Sequence, residues 1–192
     1  MVAATIADAR SRRGAAGTAA QTPGLWSEPQ LSGQFRTAIG SSIVEQIVIG
    51  HTLFGFIAGF VATLIFHQIG ALLLHFVGMT PNMPYNMNSV PPFGVPQFIS
   101  LSFWGGVWGI IFVLIEPYLV RSPGGYWVGA IIFGAIFPTA VAWFIVRPLK
   151  GLPVADVFRV PGIFIGPIVN GLWGLGTALF LSWVPGSAAR VR

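Results

Sequence analysis

The chain has 192 residues, 54% of them hydrophobic and only 8% charged, with ten basic and five acidic side chains giving a net charge of +5. Soluble domains carry roughly a quarter of their residues as charged groups, so so few charges exclude a water-soluble globule. There is no cysteine, which excludes disulfides, thiolate metal sites and thiol catalysis.

Residues 1–42 are rich in Ala, Gly, Ser and Arg and contain Arg10, Arg12, Arg13 and Arg36. This composition cannot bury enough apolar surface to offset ordering, and it predicts a disordered tail. No apolar stretch follows Arg13 directly, so the segment does not read as a secretory signal. Arg and Ser/Ala richness would also suit a mitochondrial transit peptide, but Asp8 and Glu28 argue against one. A tail on the cytoplasmic side of a bacterial inner membrane is the simpler expectation, with the mitochondrial inner membrane as the alternative.

The first apolar run, Ile47 to Met79, would form a helix of roughly 50 Å, longer than the ~30 Å hydrocarbon core of a bilayer. It therefore has to tilt, bend near Gly70 or project, while two spans would need about 40 residues and a turn. Residues 80–96 follow with five prolines and no charge, and cannot continue a helix. The second span is expected over 97–119, ending near Glu116-Pro117, and Arg121-Ser122-Pro123-Gly124-Gly125 reads as a tight turn. The third is expected over 126–146 with a kink at Pro138. A basic loop, 147–161, precedes the fourth span at 162–184 and a short basic C-terminal tail, 186–192. The expected fold is thus an all-α integral membrane bundle of four transmembrane helices, with residues 43–185 as the transmembrane domain.

The basic residues flank apolar segments, which suits anionic head groups and control of topology rather than nucleic acid. Their distribution favours both termini on the cytoplasmic side, although Arg147, Lys150 and Arg159 weigh against it. An internal echo appears as well. Val95-Pro96 and Val160-Pro161 precede Gly106-Val107-Trp108-Gly109 and Gly171-Leu172-Trp173-Gly174 at the same spacing, 65 residues apart. It points to two helical hairpins repeated in parallel, against the general abundance of Gly and Trp in membrane chains.

Four small-residue pairs have the spacing that lets helix backbones approach: Gly55/Gly59, Gly105/Gly109, Gly125/Gly129 and Gly162/Gly166. His67 and Gln68 in the first span and Asn170 in the fourth form a candidate intramembrane polar seam, since polar groups in hydrocarbon should face protein. An interhelical hydrogen bond is the plain reading, and a proton relay or haem ligand the functional one. Glu45 and Glu116, near span ends, suit solvation or pairing with a neighbour such as Arg121 better than an ion path. His75, Met79, Met83 and Met87 recur every four residues, and imidazole with thioethers suits Cu(I). Pro81 and Pro84 prevent the helix that would align them, so an ordinary ordered loop is the preferred reading.

No nucleotide-binding or nucleophile motif is present. The expectation is a non-enzymatic protein without a cofactor, a structural or accessory subunit of an inner-membrane complex. Its partners would be the lipid bilayer and other membrane proteins or further copies of itself. The alternative is a small transporter or channel for a metal ion or small solute, Cu(I) handling being its sharpest form.

Overall fold

The structure is a computed structural model that describes residues 28–184, so residues 1–27 of the expected N-terminal tail and the C-terminal tail lie outside the described residues. Of the two units into which the chain divides, Met1–Ile43 and Val44–Arg192, the first is helical throughout its described residues.

Helix α1 (Glu28–Ala62), a π-helical segment (Thr63–His67) and α2 (Gln68–Phe76) follow one another without a break. Pro29 stands in the first turn, where its missing N–H is tolerated, and no proline recurs before Pro81. Residues 28–42, expected as part of a disordered tail, are helical here. The π segment interrupts the α-helical hydrogen bonding shortly before Gly70. Gly70 itself accepts close packing, since a Cβ there would lie 2.9 Å from Leu172 Cδ1. Gly78, at φ +73°, closes the helix, with the amides of Val77, Gly78 and Met79 turning back onto its last carbonyls.

The proline-rich connection contains a two-residue antiparallel ladder, β1 (Ser89–Val90) with β2 (Val95–Pro96), Ser89 opposite Pro96 and Val90 opposite Val95. Helix α3 (Gln97–Val120) starts directly after it, and its Gln97 and Phe98 amides donate to the carbonyls of Asn88 and Asn86. The loop thereby satisfies donors that a helix start leaves orphaned. A tight turn leads to α4 (Gly125–Val141). Gly124 and Gly125 have φ of +91° and +76° there, a backbone region that favours glycine. Helix α4 runs through Pro138, and a second π segment (Ala142–Val146) follows before the short α5 (Arg147–Leu149). A 3₁₀ turn (Val154–Phe158) and α6 (Gly162–Ser182) complete the described chain. Among the described residues, four helical stretches, Ile39–Phe76, 97–120, 125–149 and 162–182, are long and apolar enough to cross a membrane.

Backbone crossings between these helices replace bulky interdigitation. A Cβ on Gly59 would strike the carbonyl of Gly105, and one on Gly109 would strike the carbonyl of Gly55. A Cβ on Gly134 would likewise strike the carbonyl of Asn170, and one on Gly174 the carbonyl of Ala130. The correspondence is residue by residue: α1 maps to α4 at an offset of 75 positions, and α3 to α6 at 65. Phe56 against Gly106 matches Ile131 against Gly171 at the same offsets.

Gly55/Gly59 and Gly105/Gly109 thus meet one another, whereas Gly125/Gly129 and Gly162/Gly166 do not form the other crossing. Gly125 belongs to the tight turn and Gly162 opens α6 beside Asp156 and Val157. Gly129 lies against Ser122 and Leu119, and Gly166 against Thr139. Between α3, α4 and α6 the core is aromatic. Phe112 is fully buried, with Phe133, Tyr126 and Trp173 at ring-centroid distances of 5.6, 6.3 and 6.4 Å. Tyr126 and Trp173 place their polar ends on backbone carbonyls, of Ala178 and Gly59 respectively, as buried amphipathic rings must.

Candidate functional site

The first π segment changes what the helix offers to its surroundings. An inserted residue shifts the backbone hydrogen bonds and presents a carbonyl sideways, which is why such bulges gather at functional sites. The carbonyl of Leu64 accepts the hydroxyl of Tyr85 at 2.8 Å. Leu64 lies twelve residues before the end of α2, about 18 Å along the axis at 1.5 Å per residue. The connection between α2 and α3 therefore folds back along the helix it has just left.

Tyr85 is held a second time, because its backbone N–H donates to Oε1 of Gln68 at 2.9 Å. Its φ of 53° lies in the left-handed region, which a non-glycine residue adopts at a cost of about 1–3 kcal/mol. The two tethers and the edge-to-face contact with Phe98, 5.9 Å between centroids, hold it there.

Beneath this fold-back lies a cavity of about 190 Å³. Gln68, Thr80, Asn82, Asn86 and Gln97 supply polar lining together with His67, while Leu74, Leu101, Ile165 and Val169 supply apolar walls. No lining residue is an Asp, Glu, Lys or Arg. Gln68 is 4% exposed, and its Nε2 has no hydrogen-bond partner among the described residues. The same holds for Nδ1 of His67. The amide of Tyr85 fixes which way the Gln68 carboxamide points: an N–H can donate only to the oxygen, so the –NH₂ is the end left over.

The second hairpin closes differently after its π segment. Arg147, the first residue after the second π segment, donates from Nε and Nη2 to the carbonyl of Pro153 at 3.3 and 3.0 Å. It also stands 3.7 Å from the carboxylate of Asp156. Gln68 and Arg147 each tether the following loop from the position directly after a π segment, but the glutamine leaves a donor beside a cavity.

The polar residues singled out from sequence are only partly brought together. His67 and Gln68 share the cavity, whereas Asn170 donates to Thr139 Oγ1 at 2.9 Å and joins α6 to α4. The three do not form one hydrogen-bonded seam among the described residues. Of the His/Met series, His75 engages the Thr80 carbonyl through Nδ1 at 3.2 Å, Met83 lines the cavity, and Met87 is 68% exposed. Among the described residues no three His, Cys, Asp or Glu side chains group as metal ligands. Glu45 is exposed and Glu116 buried. Tyr85, Asn82, Asn86 and Gln97 carried no signal in the sequence beyond a polar loop, because their part in the site depends on the fold-back. No family model, curated protein or solved structure matches the chain.

Proposed function

We propose that this chain is a four-span integral membrane protein, built as two parallel-repeated helical hairpins, that handles a small solute at the cavity under the 77–96 connection. It does so without catalysing a reaction. The single observation that carries the reading is the Gln68 Nε2 donor, buried, fixed in direction and facing a cavity without an acceptor among the described residues. Native proteins leave few such groups unpaired, and an unpaired one costs about 1–3 kcal/mol.

Membrane integration is supported by four apolar stretches of spanning length and by helices apolar on all sides, such as α3 and α4. The matched crossings Gly59/Gly105 and Gly134/Asn170 support the parallel repeat. Irregular backbone at membrane depth is tolerated where it lines a cavity, and the fold-back suits that role. A bacterial inner membrane with both termini cytoplasmic fits the distribution of basic residues.

The test is purification into lipid nanodiscs and saturation-transfer NMR with small methyl-bearing solutes. Transfer that is lost in Gln68→Met supports the reading. Absence of transfer to every solute overturns it.

A second reading, an accessory subunit that contacts other membrane proteins, is favoured by one observation. The first apolar stretch has 38 residues, beyond the ~20 a bilayer needs, and exposes Ile47, Val48, Ile49 and Leu53. Native mass spectrometry of gently extracted membranes distinguishes the two, since a stable heteromeric complex with no solute dependence would favour the second.

A further inference from the structure

Resting on the solute-handling reading above, we infer that the site takes an uncharged solute bearing a carbonyl oxygen, of the size and class of a short amide or a urea, and rejects ions of the same shape. Three features carry this. The group left unpaired on Gln68 is the –NH₂, because Oε1 already accepts the Tyr85 amide. The solute must therefore present an acceptor, and a cation, which presents none, finds a donor pointed at it.

The lining contains no formal acidic or basic charge other than a histidine that can be neutral. An anion would satisfy the Gln68 donor but would leave water for a site with no countercharge, and burying an ion without one is costly. A neutral carbonyl oxygen satisfies the donor without that cost. Finally, Nδ1 of His67 also lacks a partner among the described residues, and His67 lines the same cavity. A neutral imidazole ring nitrogen accepts or donates according to its tautomer, so an amide N–H on the solute can serve it. Amides and ureas combine one strong acceptor with N–H donors in a neutral frame. The apolar walls, Leu74, Leu101, Ile165 and Val169, leave room for a methyl or methylene group. A cavity of about 190 Å³ also limits the solute to a few heavy atoms, which places affinity on the order of millimolar.

Four probes test the class because they form two pairs of matched shape. Acetamide is paired with acetate, and N-methylurea with methylguanidinium. Each carries a methyl signal suited to saturation-transfer NMR of weak binding, and the full-length protein in nanodiscs of neutral lipid serves as receptor. The expected result is transfer to acetamide and N-methylurea at least fivefold stronger than to their charged partners. That transfer should be lost in Gln68→Met, which keeps side-chain length but has no amide. Ala71→Leu fills the cavity from α2 without altering a polar side chain, and it should abolish the same signals even if Gln68→Met does not fold. Transfer to acetate or methylguanidinium equal to or above their neutral partners, and sensitive to Ala71→Leu, overturns the uncharged class while leaving a solute site in place. Transfer to none of the four, or transfer insensitive to both variants, overturns the site and the proposed function together.

Discussion

The indole N–H of Trp173 donates to the carbonyl of Gly59 at 2.9 Å, joining α6 to α1 across 114 positions of sequence. The same carbonyl also accepts the hydroxyl of Thr63 at 2.9 Å. Gly59 can serve two donors because it has no side chain, and because α3 approaches it backbone to backbone. Trp173→Phe removes one donor but keeps most of the ring volume at a site 2% exposed. Interhelical hydrogen bonds in membranes average about 0.6 kcal/mol with a maximum near 1.7, so Trp173→Phe should cost about 1–2 kcal/mol including the smaller ring. Trp173→Ala adds a cavity and should cost about 3–5 kcal/mol. Equal costs in a denaturing-detergent titration would place the stabilisation in the hydrogen bond rather than in packing.

The matched crossings predict matched losses. Gly59→Ala and Gly134→Ala each drive a methyl into a backbone carbonyl of the facing helix, where no rotamer change gives relief. Both should separate their helix pairs and lower stability by several kcal/mol, beyond the ~1–3 typical of overpacking. Gly50→Ala meets nothing within 4 Å and should be neutral or stabilising by up to about 1 kcal/mol through helix propensity. A tolerated Gly134→Ala beside a disruptive Gly59→Ala would break the correspondence between the hairpins.

The sequence made the helices legible and the site largely illegible, for physical reasons. Apolar length is a local property, so the start of α3 at Gln97 and of α6 at Gly162 fall where the proline-bearing loops end. The spacing echo of Gly106-Val107-Trp108-Gly109 and Gly171-Leu172-Trp173-Gly174 was also visible, because one helix crossing needs the same small residues each time. Small-residue spacing alone could not separate Ala130/Gly134, which make a crossing, from Gly125/Gly129, which serve a turn and a local contact. The π segment at Thr63–His67 leaves no composition signature, and it decides that Leu64 offers a carbonyl to Tyr85. His67 and Gln68 were identified as polar groups in an apolar run. Their polar neighbours, Thr80, Asn82, Asn86 and Gln97, come from the connection and the start of α3, 12 to 30 residues further on, along a path no periodicity encodes.

The proposed parallel repeat would put the 77–96 and 147–161 connections on one side of the membrane and the termini on the other. The chain lacks cysteine, so Ser89→Cys and Ala155→Cys, both at exposed positions, report topology against a clean background. An impermeant maleimide applied to intact cells should label both or neither, and labelling of inverted vesicles should give the opposite result. Labelling of the two from different sides would contradict the repeat and the four-span topology.

Tyr85 holds the fold-back, and its hydroxyl can be removed without removing its ring. Tyr85→Phe keeps the contact with Phe98 and the amide bond to Gln68, but loses the bond to the Leu64 carbonyl. The global cost should be about 0.5–1.5 kcal/mol. The local effect should be larger, seen as faster amide hydrogen exchange at Tyr85, Asn88, Gln97 and Phe98 with the helix interiors unchanged. Equal exchange in variant and wild type would mean that the hydroxyl does not hold the loop.

His67 and Gln68 are neighbours in sequence with opposite expected responses to the same replacement. Nδ1 of His67 has no protein partner among the described residues, so the solute-free protein carries the cost of a shielded, unpaired polar atom. His67→Leu puts an apolar side chain of similar size in its place and should leave stability unchanged or raise it by up to about 2 kcal/mol. Gln68→Leu also removes an unpaired donor, but it takes away the acceptor of the Tyr85 amide, leaving a backbone N–H unserved in a strained residue. It should lower stability by about 1–3 kcal/mol. Added solute should shift the balance between wild type and His67→Leu toward wild type. At ten times its dissociation constant, acetamide stabilises a binding-competent protein by about 1.4 kcal/mol, and a variant with weakened binding gains less. Thermal unfolding in nanodiscs, with and without acetamide, reads both effects. A His67→Leu variant that is markedly less stable than wild type without solute would show that the imidazole serves the fold, and the case for a site poised to receive a ligand would then rest on Gln68 alone.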